Sequence, residues 1–136
     1  MTAVAREAIE QLLASAAFNA YYQFRVGALG DGVCTIEAPF RDEFERPGGV
    51  VSGPVFMAAA DAATWLAIAA RLDGDGAWVT VDLKTAFLRA ARREAFTCTA
   101  RVVKAGRQLI YGVAECVRAD GTLLTHHTLT YARAGD

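Results

Sequence analysis

GPVFMAAADAATWLAIAA, residues 53–70, satisfies every local criterion for a helix. Pro54 suits a first helical position, because its missing N–H would have no partner there and its φ is already helical. Ser52 or Gly53 can cap the end. The remainder is rich in Ala, Leu and Met, all good helix formers. Apolar residues run round every face, which predicts a helix buried on all sides. A membrane span is the competing reading. The run falls short of the ~20 residues required, carries Asp61, and has no second such run in the chain. The stretch is therefore expected to be the core helix of a globular domain, with no membrane partner.

Asp61 is the anomaly in that helix. An ionised carboxylate in apolar surroundings is costly, so it must be paired, hydrogen-bonded or held with a raised pKa. Helix chemistry alone leaves a structural and a functional role equally open.

Outward from the helix, residues 3–15 place Val4, Ala8 and Leu12 at helical spacing, an amphipathic N-terminal helix. Phe24–Leu29 and Val33–Ala38 flank Gly30-Asp31-Gly32 and read as a β-hairpin. Residues 39–52 form a loop containing Pro39, Pro47, Gly48 and Gly49, and Asp73–Gly76 closes the helix region. Four strand-like runs follow at 77–89, 95–104, 108–118 and 122–132. In the first of them Val79, Val81, Leu83 and Phe87 alternate with Thr80, Asp82 and Lys84, which predicts one buried and one polar face. Lys104–Arg107 and Ala119–Gly121 are turn-like, and short turns between successive strands predict an antiparallel meander. The fold class is α+β: one domain over residues 1–136, an antiparallel sheet of about six strands around one long helix. Such a sheet leaves edges uncovered, so a symmetric dimer is expected.

Composition narrows the function. With 136 residues, 54% hydrophobic, 21% charged and a net charge of −1, the chain is globular and has no overall field that would attract nucleic acid. Charge is nevertheless uneven: seven of the fourteen basic residues lie between Lys84 and Arg107 against one acid, Glu94. That excess reads equally as an anion site or as a charged strand edge. Cys34, Cys98 and Cys116 lack metal-type spacing and read as buried free thiols in a reducing compartment. Glu7 and Glu10 interrupt any signal-peptide core, so a cytoplasmic location is expected. His126 and His127 are adjacent in a strand and point to opposite faces, so they cannot jointly bind a metal. No metal and no cofactor is expected. Thr64, one turn after Asp61, is expected to bond its own helix backbone, and Trp65 and Trp78 to be core or dimer-contact residues.

The ordered set PGGVVSGP, AAADAA, VTVDLKTAFLRAA, ARVVKAGR and DGTLLTHHTLTYA, spanning about residues 45–133, resembles the hotdog-fold acyl-CoA thioesterases of the phenylacetyl-CoA thioesterase type. The resemblance implies a sheet wrapped round the helix, a homodimer or dimer of dimers with two sites at the subunit seam, and hydrolysis of an acyl-CoA without metal. It puts at Asp61 the acid that acts as general base on water or as nucleophile, and at Gly53 the glycine whose N–H polarises the carbonyl. It puts the hydroxyl that positions water at Thr80, on the face opposite Val79 and Val81 and so usable only at a seam. The acyl group would lie along Phe56 and Met57, and the CoA phosphates on Arg89, Arg93, Lys104 and Arg107. Members usually carry His-Gly-Gly at the helix start, where this chain has Ser52-Gly53-Pro54, and an Asn where it has Arg46. Ser52 can donate or cap; Arg46 can bind an acidic acyl group or a phosphate, pair with Asp61, or stay solvated. Two rivals remain at this stage: a non-catalytic acyl-CoA or acyl-carrier binding protein, and a purely structural dimer.

Overall fold

The computed structural model describes residues 3–72 and 77–134, with side chains from Arg6 onward. Helix α1 (Ala3–Ser15) and the single turn α2 (Asn19–Tyr22) precede strands β1 (Arg25–Gly30) and β2 (Val33–Ala38). A small hairpin of β3 (Glu45–Arg46) and β4 (Val50–Val51) leads into α3 (Gly53–Leu72). Strands β5 (Trp78–Phe87), β6 (Phe96–Ala105), β7 (Leu109–Val117) and β8 (Leu123–Arg133) complete the chain. The six long strands form one antiparallel sheet in the order β1-β2-β6-β7-β8-β5, and α3 packs against every one of them. This is the hotdog architecture, a curved sheet around a central helix.

The sheet is not a four-strand meander. Strands β6, β7 and β8 follow one another, but β5 crosses to the far edge and pairs with β8. The connection over residues 88–95 contains neither glycine nor proline and is too long for a tight hairpin. It runs past the start of α3 instead, where the Val51 N–H donates to the Ala91 carbonyl at 2.9 Å. As an edge strand β5 has no buried face of the predicted kind: Val79, Val81 and Phe87 are each at least half exposed.

Helix α3 is 20 residues long, so length alone does not exclude a span; its burial against the sheet does. Nor is it buried all round. Leu66, Ala67, Ala63 and Ala59 are sealed in the core, but Met57, Asp61 and Trp65, spaced four apart on one face, are open to varying degrees. The apolar ring of the helix thus exceeds what one sheet covers. In α1 the buried residues are Ile9 and Leu13, while Ala8 is exposed, so the core-facing stripe is one position off the expected one. Val4 lies outside the described side chains, as Asp73–Gly76 lie outside the described residues. All three cysteines are buried free thiols. His127 is buried between the Thr85 and Thr125 hydroxyls at 2.8 and 2.7 Å, and His126 faces outward onto Glu115 at 3.1 Å.

Candidate active site

Three elements converge on Asp61. It sits near the middle of α3, and the helix packs across β5 and β8. On those strands Thr80 and Tyr131 are direct cross-strand partners, so the pleat brings both side chains to one place. The Thr80 hydroxyl donates to Asp61 Oδ1 at 2.7 Å, and the Tyr131 hydroxyl to the same oxygen at 2.5 Å and to the Asp61 carbonyl at 2.9 Å. Asp61 Oδ2 has no hydrogen-bond partner among the described residues. Of the three states open to a half-buried carboxylate, this one is hydrogen-bonded. Thr80 reaches it within a single chain, contrary to the alternation argument, because the register slips between Thr80 and Asp82. Such a bulge re-aims side chains and defeats a strict period of two.

Tyr131 is the member that the sequence reading missed. It is 3% exposed, at the inward phase of β8 with Thr125, His127 and Leu129. A buried tyrosine hydroxyl requires a polar partner, and Asp61 is the only acid on the one central helix, which is the signal that could have found it. Burial, and next the negative charge of Asp61, push the Tyr131 phenol above its ordinary pKa. It therefore stays protonated, and a donor, at any ordinary working pH.

The Asp61 carboxylate borders a cavity of about 430 Å³ whose walls are Phe18, Tyr22, Trp65, Trp78, Val79 and Tyr131. Trp65 and Trp78 pack, partly buried, against the hydrophobic core and also form walls of this cavity. No cation lines this space. Thr64, by contrast, turns back to donate to the Ala60 carbonyl at 2.8 Å, as expected of a helix threonine.

Gly53 lies elsewhere. With Arg46, Phe56, Phe87, Leu88 and Arg89 it borders a second cavity of about 410 Å³ at the start of α3. The Ser52 N–H donates to the Phe44 carbonyl at 2.8 Å, the Val55 N–H to the Ser52 carbonyl at 3.1 Å, and Pro54 has none. Gly53 is left as the residue of 52–55 whose N–H has no backbone partner among the described residues. Its lack of a side chain matters: a Cβ there would stand 3.1 Å from the Phe87 ring. Ser52 caps α3 through its main chain, and its side chain makes no hydrogen bond among the described residues. Arg46 does not pair with Asp61, since the two border different cavities.

The remaining predicted residues scatter. Phe56 packs on Phe96, ring centroids 4.8 Å apart, at the base of the second cavity, whereas Met57 borders neither cavity. Arg93 is held by Asp42 at 2.8 Å and Glu45 at 2.9 Å. Lys104 lies beside Gln108, Tyr111 and Thr130 near the β6–β7 turn. Arg107 sits in that turn, its carbonyl accepting from Arg133 Nε at 3.1 Å. The expected phosphate cluster is therefore not one site in a single chain. No group of His, Cys, Asp and Glu side chains among the described residues is arranged to hold a metal ion.

Known proteins share the sequence profile and the fold. The sequence profile described as the thioesterase superfamily matches residues 48–125. A Saccharolobus solfataricus protein provisionally named an esterase is 33% identical over 103 residues, 76% of this chain and 73% of that protein. The solved structure of a conserved Pseudomonas aeruginosa protein is 27% identical, covers 91% of this chain and 98% of its own, and superposes with a TM-score of 0.85. The Escherichia coli PaaI protein, from the phenylacetic acid degradation operon, shares the fold with a TM-score of 0.88 at 17% identity, covering 96% of this chain and 94% of its own.

Proposed function

The chain belongs to the thioesterase superfamily, a hydrolase of the thioesterase or esterase kind, and on that premise we propose that it hydrolyses an acyl-CoA thioester by direct attack of water. The observation that carries this reading is the Asp61 carboxylate. One oxygen is pinned by two hydroxyls, the other has no partner among the described residues, and the group borders an open cavity of about 430 Å³ from which water can reach it. In this reaction Asp61 Oδ2 takes a proton from water as the water oxygen bonds to the thioester carbon. The Gly53 N–H, at the positive end of α3, holds the oxyanion that develops. As the intermediate collapses the C–S bond breaks, and the proton on Asp61 passes to the departing thiolate. The products are the free acid and CoA.

A second copy of the chain completes this site. Gly53 and Asp61 are eight residues apart on one straight helix, roughly 12 Å along its axis, and they border separate cavities. A reacting carbonyl must lie about 3 Å from both the attacking group and its oxyanion donor. One chain cannot meet that condition. A twofold pairing that sets the Gly53 cavity of one copy against the Asp61 cavity of the other does, and it covers the exposed Val79, Val81 and Phe87 of edge strand β5.

The direct test is release of free thiol from a panel of acyl-CoAs with short, long, aromatic and dicarboxylic acyl groups. Turnover of at least one member is expected, and absence of thiol release across the panel would overturn the proposal. Tyr131 offers a finer check. Without the Tyr131 hydroxyl, Oδ1 is held by Thr80 alone and Oδ2 is aimed less well at the attacking water. Tyr131→Phe is therefore expected to lower kcat by about tenfold, in line with the loss of roughly 1.5 kcal/mol from one hydrogen bond to a charged group, with KM changed far less. A kcat within about twofold of wild type would make the contact merely structural.

A further inference from the structure

The second cavity has an uncompensated charge that water activation does not use. Its walls are largely apolar, formed by Val50, Val51, Phe56, Phe87 and Leu88, yet Arg46 and Arg89 border it and no carboxylate does. Neither arginine makes a side-chain hydrogen bond or ion pair among the described residues. Four other arginines do. Arg93 takes Asp42 and Glu45, Arg118 takes Glu94 at 3.3 Å, Arg41 takes Glu43 at 3.0 Å, and Arg92 donates to the Gly48 carbonyl at 3.2 Å. The acids in these pairs, Asp42, Glu43, Glu45 and Glu94, are held by other arginines, and the exposed residues Arg46 and Arg89 are left at the cavity that Gly53 also borders.

We infer that Arg46 and Arg89 form a subsite for a carboxylate at the far end of the acyl group, so that the preferred substrate is the thioester of a short dicarboxylic acid. This rests on the thioesterase reading for the placement of the carbonyl at Gly53. Two guanidinium groups present the planar donor forks that a carboxylate matches. The apolar walls between them and Gly53 suit a short methylene spacer. The phosphates of CoA are the other source of negative charge. They stand a full pantetheine arm away from the sulfur, whereas these arginines share the carbonyl donor's own cavity, which places them on the acyl side.

The test compares two N-acetylcysteamine thioesters of equal chain length, one ending in a free carboxylate and one in its methyl ester, neither carrying a phosphate. Wild type is expected to favour the free acid in kcat/KM by roughly ten- to a hundredfold, the range of a hydrogen bond to a charged group. In Arg46→Gln and Arg89→Gln that ratio falls towards one, and Arg46→Lys retains part of it. A ratio near one in wild type, or a preference that survives both Gln variants, overturns the inference. So does a loss confined to CoA thioesters and equal for acidic and neutral acyl groups, which would assign the arginines to the phosphates. If wild type hydrolyses no thioester at all, the thioesterase reading fails, and the subsite is judged by calorimetric titration of glutarate. Saturable binding lost in Arg46→Gln upholds the subsite, and no binding to wild type removes it.

Discussion

Asp61→Asn is expected to lower kcat by about 10²–10⁴, the range for a lost general acid–base group, while the thermal unfolding midpoint stays close to that of wild type. The asymmetry between the two effects follows from the hydrogen bonds. The Thr80 and Tyr131 hydroxyls both donate to Oδ1. An asparagine amide oxygen accepts the same two bonds, so the contact between α3, β5 and β8 survives. What disappears is the basic lone pair on the second oxygen, where an amide nitrogen offers only N–H groups. Substrate binding loses little, because a substrate that has not reacted takes nothing from that oxygen, so KM should change far less than kcat. Measuring thiol release and unfolding on the same preparation separates chemistry from folding. Turnover within about twofold of wild type in a folded Asp61→Asn protein would remove Asp61 from the reaction, whatever else the fold suggests.

Gly53→Pro is expected to lower kcat by about 10²–10³, as deletion of a single oxyanion donor does elsewhere. Proline is tolerated in the first helical turn, where its missing N–H takes no bond from the helix. The substitution removes the one main-chain donor of residues 52–55 that has no backbone partner, and it leaves the rest of α3 in place. Its added ring meets Phe87, whose side chain is 55% exposed and free to swing aside. The two substitutions together test the composite site. Each variant alone is expected to keep no more than about one hundredth of wild-type kcat. In a mixed dimer, the Gly53 of the Asp61→Asn chain faces the Asp61 of the Gly53→Pro chain, and one of the two sites is intact. Random mixing makes about half the dimers mixed, so co-refolded variants should recover about one quarter of wild-type turnover. No recovery, from a mixture shown to contain mixed dimers, would place both groups in one chain's site and contradict the roughly 12 Å of helix between them.

How far the site could be read in advance depended on the kind of information each residue needed. Asp61 announced itself because a carboxylate in an alanine-rich helix conflicts with its surroundings, and such a conflict is local. Gly53 was singled out only by the family resemblance, local chemistry marking it as no more than a possible cap before Pro54. Thr80 was identified as a candidate but assigned to the wrong geometry, because the strand alternation that placed it takes no account of the bulge after it. Tyr131 lies 70 residues from Asp61 in sequence, and only the pairing of β5 with β8 sets it beside Thr80. Arg46 and Arg89 are separated by the whole of α3 and β5, and their shared cavity exists only because the connection over residues 88–95 passes the helix start.

The amino-acid sequence by itself determined the buried central helix, the strand runs and the hairpin before them. These follow from periodicity and turn chemistry, in which each residue interacts mainly with neighbours a few positions away. The tertiary structure alone decided that β5 is an edge strand rather than the first rung of a meander. It decided that two hydroxyls from different strands share one carboxylate oxygen, and that Asp61 and Gly53 open onto separate cavities. Strand order is settled by which distant segments bury the most apolar surface together, a competition that no local spacing records. The same competition leaves Met57, Asp61 and Trp65 on an open face of an otherwise apolar helix, and that face is where the chemistry proposed here takes place.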